Sequence, residues 1–353
     1  MKKTYLLALT LLTGCSTLFP LQASKTVASP PTLSPSPGAT EKPKSPYLLV
    51  VNGTSKTLSK INLTSGEILE NFISTGLWPN QLLVKDTTGF LVSSGDNCVS
   101  ALDLAQGNKI GDINLAAGSN PYEMAFGATD RALVTNLMTG KVALLDLKER
   151  KVLKEIAMPS ATAVAYANGK YYVGCAPTDT SKFPAVTYGM GTVAVLKEDT
   201  LEVLKTLETG AASNPQFMGV DPQGEVNVVC TGDYSDHGKV AVIDAKADSI
   251  KVSIPTGGAP GAIAILPGGK AYLTDSNNRL LSYDTLSETV LRGSSNPIPV
   301  GKVPMGIATD GKKVYVANFG DNNVSVIDPS TDTTVGQPWT VGKGPGALAF
   351  FNL

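Results

Sequence analysis

From Tyr47 to its end the sequence repeats one pattern seven times, and a chain built that way folds by packing copies of one small unit side by side. The last copy is the cleanest: K-V-Y-V-A-N-F-G-D-N-N-V-S-V-I-D, from Lys313 to Asp328, then a polar turn and an outer strand ending at Val341. Apolar residues alternate at Val314 and Val316 and again at Val324 and Val326, which is the period of a strand. Asp328-Pro329-Ser330 reads as a turn with a side-chain acceptor at its start. The same first strand ends on a small residue at Asn52, Ser94, Asn136, Cys175, Cys230, Asp275 and Asn318. The spacings are 42, 42, 39, 55, 45 and 43 residues, and the one long interval carries an insertion between Pro177 and Gly191.

A second marker, Gly-x-x-Pro or a near variant, recurs as Gly76 to Pro79, Gly118 to Pro121, Gly210 to Pro215, Gly257 to Pro260, Gly301 to Pro304 and Gly342 to Pro345. The connection near Pro159 to Thr162 departs from it. No stretch has a convincing helical period. Four strands in about 40 to 45 residues is the signature of a β-propeller blade, so the expected fold is all-β, a seven-bladed propeller of four-stranded blades. Seven such blades use up the chain after the first 46 residues.

The segments Val314 to Asn318 (V-Y-V-A-N), Val324 to Asp328 (V-S-V-I-D) and Val341 to Pro345 (V-G-K-G-P) resemble the YVTN family of seven-bladed propellers, over essentially everything after Pro46. The resemblance implies that each repeat begins at the second strand of a blade and ends with the innermost strand of the next. Gly346 to Phe350 would then close the ring against the blade begun at Tyr47, hiding an edge that would otherwise invite aggregation. It also implies that the Gly-x-x-Pro turns share one rim of the central tunnel with the loops after the small-residue column, and that rim is the candidate site. Its loops carry Trp78, Tyr122, Glu123, Phe183, Tyr188, Gln216, Phe217, Tyr234, His237, Arg279, Met305 and Phe319, an aromatic and amide-bearing mouth. Tyr and Trp there combine apolar area with a polar tip. Tyr122 and Phe217 have a second reading as packing between blades. The insertion Ala176 to Met190, with Phe183, Pro184 and Tyr188, and the neighbouring Asp233 to His237 would form an asymmetric lip.

The amino terminus is of another kind. Lys2 and Lys3 precede the apolar run Tyr5 to Leu12, too short for a membrane span, and Leu12-Thr13-Gly14-Cys15 follows. This resembles the bacterial lipoprotein lipobox, which implies cleavage before Cys15, lipid on its thiol and anchoring in the cell envelope. In such lipoproteins an Asp after the lipidated Cys can favour inner-membrane retention, so Ser16 argues for outward sorting, to the outer membrane. Ordinary cleavage after Ala23 is the alternative, although Leu21 stands where a small side chain is preferred. Ser24 to Pro46 is crowded with Pro, Ser, Thr and Lys and reads as an extended tether. The expected organisation is 1–14 signal peptide, 15–46 lipidated Cys and tether, 47–353 propeller.

Charge excludes some partners. With 29 basic and 30 acidic residues the formal charge is −1, with no long basic block, so nucleic acid is not an expected partner. The four arginines are Arg131, Arg150, Arg279 and Arg292, few for a densely anionic substrate; Arg279 could hold one anionic group or be a solvated surface residue. His237 is the single histidine, so no multi-histidine metal centre can be built, and no metal is assigned. C-x-x-C-H, C-x-x-C and G-x-S-x-G are absent. Asp233 to Gly238 only loosely follows a calcium loop. Cys175 and Cys230 hold equivalent places in neighbouring blades, but facing sheets lie about 10 Å apart, beyond the roughly 7 Å reach of a disulfide.

Two functions follow. The first is a monomeric, membrane-anchored binding module without a resident cofactor, presenting its loop-rich face to a small organic ligand or an envelope protein. Propeller lipoproteins that capture cobalamin resemble it, which makes a cobalamin-like ligand one candidate. The second is an enzyme similar to propeller lactonases or quinone-linked dehydrogenases, in which Glu123 and His237 would carry acid and base work.

Overall fold

Short stretches of alternating apolar residues separated by Gly, Asn and Asp turns form strands, and here all the pairings are antiparallel, most of them between sequence neighbours. The structure is a computed structural model that describes residues 46–183 and 185–352. The expectations for the signal peptide, Cys15, the tether through residue 45, and Pro184 lie outside the described residues. Among the described residues there is no helix.

The sheets are seven blades in a ring. Blade 1 combines the last strand, Pro345–Asn352, with Pro46–Asn52, Thr57–Asn62 and Ile68–Ser74. Blades 2 to 7 start at their inner strands: Pro79–Lys85, Pro121–Phe126, Ala161–Ala167, Pro215–Val220, Pro260–Ile265 and Pro304–Thr309. Each continues outward through three further strands, except that short segments share the outermost place in blades 6 and 7. Closure is as expected: Tyr47 pairs with Phe351, Leu48 with Phe350 and Val50 with Leu348.

The core follows the same circle. Seven clusters of buried side chains lie one at each blade junction. The cluster joining blade 7 to blade 1 brings Tyr315, Val324 and Val326 against Leu48, Val50 and Ile61. Side chains add ties between blades. Asn80 Nδ2 donates to Pro121 O (3.0 Å), Thr162 Oγ1 to Pro215 O (2.6 Å) and Thr231 Oγ1 to Pro260 O (2.7 Å), so carbonyls at the start of inner strands are held from the neighbouring blade. Two junctions carry the same polar clamp: Lys170 and Tyr172 donate to Asp248, and Lys270 and Tyr272 donate to Asp332.

Proline begins six of the seven inner strands, a position that asks no ladder hydrogen bond of its nitrogen. Each of these prolines pairs with the last residue of the second strand, and the register slips just after it. This places the column at Ser93, opposite Pro79, and corrects the expectation of Ser94 by one residue. The column is a structural latch: Asp275 Oδ2 accepts from Ala259 N (3.0 Å), and Asn318 Nδ2 donates to Ser325 Oγ (2.8 Å). The glycine of the marker is needed for the same contact, since a Cβ on Gly301 would stand 2.6 Å from Asn318 Cγ.

Cys98, Cys175 and Cys230 are free and buried; burial pushes the Cys175 and Cys230 thiols up to about 11.

Candidate functional site

The rim is built by the residue before most of the inner strands. Trp78, Asn120, Asn214 and Val303 have φ of 47°, 49°, 52° and 52°, a left-handed backbone that side-chain-bearing residues seldom adopt, least of all β-branched valine. That conformation swings the chain from the outer edge of one blade into the tunnel of the next. The turn is then fastened to the loop after the second strand: Ser94 N donates to Trp78 O (3.0 Å), Thr231 N to Asn214 O (3.1 Å) and Phe319 N to Val303 O (3.0 Å). Both kinds of loop therefore lie at the same end of the ring.

Within that rim the structure gathers one subset of the candidate residues. Tyr122 and Glu123 follow Pro121 on the inner strand of blade 3, and Gln216 and Phe217 follow Pro215 on that of blade 5. The rings of Tyr122 and Phe217 meet with centroids 6.5 Å apart although blade 4 stands between their strands. Blade 4 carries Thr162 and Ala163 at the equivalent places, small enough for the flanking rings to converge. Two loops complete the group. Tyr188, in the blade 4 insertion, stacks at a tilt on Tyr234, in the loop of blade 5, with centroids 6.1 Å apart. Gln216 Nε2 donates to Asn214 Oδ1 (2.6 Å) beneath them.

The group is partly buried: Tyr122, Glu123 and Tyr188 keep some exposure, and Tyr234 is 38 % exposed. Burial pushes the Tyr122 and Tyr234 hydroxyls above their ordinary range and Tyr188 up to about 12. The Glu123 carboxyl is raised to about 8 by burial alone, with no cation offsetting it. Its backbone is fixed by Thr135, which accepts from Glu123 N (3.1 Å), while its side chain takes part in no hydrogen bond or ion pair among the described residues.

The other candidates lie apart. Trp78 and Met305 are exposed at 39 % and 45 %, and no ring contact joins either to the Tyr122 group. Phe183 is exposed in the insertion, between the paired segments Thr178–Asp179 and Thr187–Tyr188. Phe319 lies over the turn at Gly344, and Phe217 also packs on the core between blades 5 and 6, so the packing reading holds for part of its surface. Arg279 is engaged: it pairs with Asp275 at 3.3 Å and donates to Ser294 O at 2.9 Å. His237 Nδ1 sits 3.2 Å from Asp233 Oδ1 and 3.0 Å from Ser235 Oγ, and lines a groove of about 700 Å³ between blades 5 and 6 with Thr256, Leu291 and Ser294. Glu123, His237 and Arg279 therefore do not form one hydrogen-bonded constellation. No group of three or more His, Cys, Asp and Glu placed to hold a metal ion occurs among the described residues.

Asn80 and Gln81 hold the places in blade 2 that Tyr122 and Glu123 hold in blade 3, and sequence reasoning passed over them. Counting two residues on from the rim proline would have found both. Gln81 Oε1 accepts from Met124 N (2.8 Å), which fixes the strand that carries Glu123.

No family model matches the chain, and no curated protein matches it. Solved structures do. Hydrazine synthase of Kuenenia stuttgartiensis superposes with a TM-score of 0.62 at 16% identity, covering 76% of this chain and 88% of that one. Apo AztD of Citrobacter koseri gives 0.57 at 12% identity, covering 88% and 99%. A functionally unknown protein of Desulfotomaculum acetoxidans gives 0.63 at 15% identity, covering 86% and 98%. At such identities the likeness is one of fold, and the chain is by its own strand order and by these neighbours a seven-bladed β-propeller.

Proposed function

We propose that the chain is a binding module tethered to the bacterial envelope, whose rim face takes a small organic ligand or a partner protein. The observation that carries this reading is the group of Tyr122, Glu123, Phe217, Tyr188 and Tyr234: four rings and one carboxyl that no internal partner satisfies. Half-buried at the rim and bound to nothing inside the fold, this carboxyl is available to a ligand. The likeness of the repeats to the YVTN propellers fits the reading. The lactonase or dehydrogenase alternative is weakened, because His237 and Arg279 are committed to Asp233 and Asp275 rather than to Glu123.

The insertion offers a direct test. Gly189 N already donates to Pro177 O (2.8 Å), so replacing Thr178–Tyr188 by a short glycine-containing turn closes a loop whose ends are in place. The variant is expected to melt within a few degrees of the parent and to lose binding, read by thermal shift over cofactors and small organic molecules and by recovery of partners from native membranes. Retained binding contradicts the assignment of this lip.

The anchor is proposed from Leu12-Thr13-Gly14-Cys15 and the proline-rich stretch after it. Two or more acyl chains on one cysteine give lasting membrane attachment. Palmitate labelling is expected in the parent and absent in Cys15→Ser, which partitions into the aqueous phase. Equal labelling of both removes the anchor.

A further inference from the structure

We propose that the mouth recognises an organic cation, a protonated or quaternary amine, with Glu123 as its counter-charge and the rings of Tyr122, Phe217, Tyr188 and Tyr234 around its alkyl groups. The proposal rests on the reading of this face as the binding face and names the class of ligand it takes.

Three observations lead there. The rings come as two tilted pairs, 6.5 Å and 6.1 Å between centroids, and the Tyr234 hydroxyl lies close enough to that of Tyr122 to raise it, so the pairs adjoin. Aromatic faces carry negative potential, and several of them together favour a cation stripped of its water. Glu123 supplies the single formal charge beside Tyr122 and has no lysine, arginine or hydrogen-bond donor of its own. An anion could take hydrogen bonds from the tyrosine hydroxyls, but it would face the negative ring faces and, once Glu123 ionises, a like charge. A neutral ligand would leave the carboxylate without a counter-charge, whereas a cation supplies one.

Binding moves a proton. Empty, the carboxyl is raised to about 8 by burial and is neutral below that. A cation seated beside it favours the carboxylate, so below this pH one proton passes from Glu123 to solvent for each cation bound, and none above it. The titratable group beside Glu123 is Tyr122 on its own strand; Tyr234 of blade 5 lies beside Tyr122, and Tyr188 of blade 4 and Asp233 lie beyond it. The tyrosines stay protonated throughout this range because burial raises each of them.

The test is calorimetric titration of the folded protein with tetramethylammonium, choline and n-butylammonium, and with 3,3-dimethyl-1-butanol as the uncharged shape-mate of choline. Expected are saturable binding of at least one cation, about tenfold or more tighter than the alcohol, a heat at about pH 6 that varies with buffer ionisation as release of one proton requires, and affinity that climbs with pH and levels off above about 8. The proton count uses the unaltered protein, so it does not depend on any variant folding. Glu123→Gln is expected to remove the preference for cations and to retain the parent's melting profile. Absence of saturable binding by all three cations, or equal binding of choline and the alcohol, overturns the proposal. Binding that survives Glu123→Gln but disappears on replacing Thr178–Tyr188 overturns the cation assignment and leaves the face as a binding face; binding indifferent to both changes overturns both.

Discussion

Removal of Pro345–Leu353 is expected to abolish cooperative unfolding. The strand Pro345–Asn352 pairs along the whole of Pro46–Asn52, so its loss opens the ring and bares a full edge of blade 1. It also empties two cores at once. Ala349 and Phe351 leave the cluster they share with Leu49, Val51 and Leu91, and Leu348 and Phe350 leave the one they share with Leu48 and Tyr315. A single buried Phe→Ala change costs about 3–5 kcal/mol, and a domain of this kind holds only about 5–15 kcal/mol in all. Phe351, at 1 % exposure, accounts for much of that margin by itself. Circular dichroism through a urea titration is expected to show a sharp transition for the parent, a shifted one for Phe351→Ala and a broad drift for the deletion. A deletion variant with the parent's midpoint contradicts the register of closure.

Asp332→Ala is expected to cost about 3 kcal/mol, the lower end of the penalty for breaking a buried pair. The Asp332 side chain is 10 % exposed and accepts from Lys270 at 2.7 Å, from Tyr272 and from Arg292 at 3.2 Å. Its loss takes the carboxylate from Lys270, Arg292 and the Tyr272 hydroxyl at the junction of blades 6 and 7, leaving Lys270 only Pro329 O. Burial alone would raise this carboxyl, but the hydrogen bonds from Lys270, Tyr272 and Arg292 outweigh it and hold it below its ordinary 3.8. The folded state thus binds the proton less tightly than the unfolded chain. The stabilisation is fully present above the ordinary value and fades as the pH falls through the folded one, so the urea midpoints of parent and variant are expected to converge in acid. Lys302 and Asp321 are a useful contrast: with Lys302 72 % exposed, removing that pair is expected to cost under about 1 kcal/mol. Equal effects at the two sites contradict the clamp.

What could be read in the sequence was whatever repeats. The second and third strands of each blade are buried on both faces and keep a strict apolar pattern, as Val314–Asn318 and Asn323–Asp328 do. The rim prolines mark the inner strands because a strand start is where proline fits. Outer strands were poorly legible: Thr289–Arg292 and Thr333–Thr334 are short and largely exposed, so burial imposes little pattern on them. The Ser93 register was missed by one residue because Ser93 and Ser94 are identical in kind and the strand's pairing with Pro79 decides between them.

Membership of the rim was legible from the spacing to proline, but convergence was not. Tyr122 and Phe217 touch because Thr162 and Ala163 in the blade between them are small, a relation among three repeats that no single repeat displays. Arg279 read as free because its partner Asp275, four residues away, faces it only across a hairpin.

The most direct measurement is the titration of one carboxyl. The account rests on Glu123 standing without an internal partner in a partly buried aromatic mouth. Carbon-13 NMR of the glutamate side-chain carboxyls, with the Glu123 signal assigned by its loss in Glu123→Gln, is expected to show it titrating near 8. A Glu123 signal that titrates at the ordinary glutamate value of 4.5 would contradict the account.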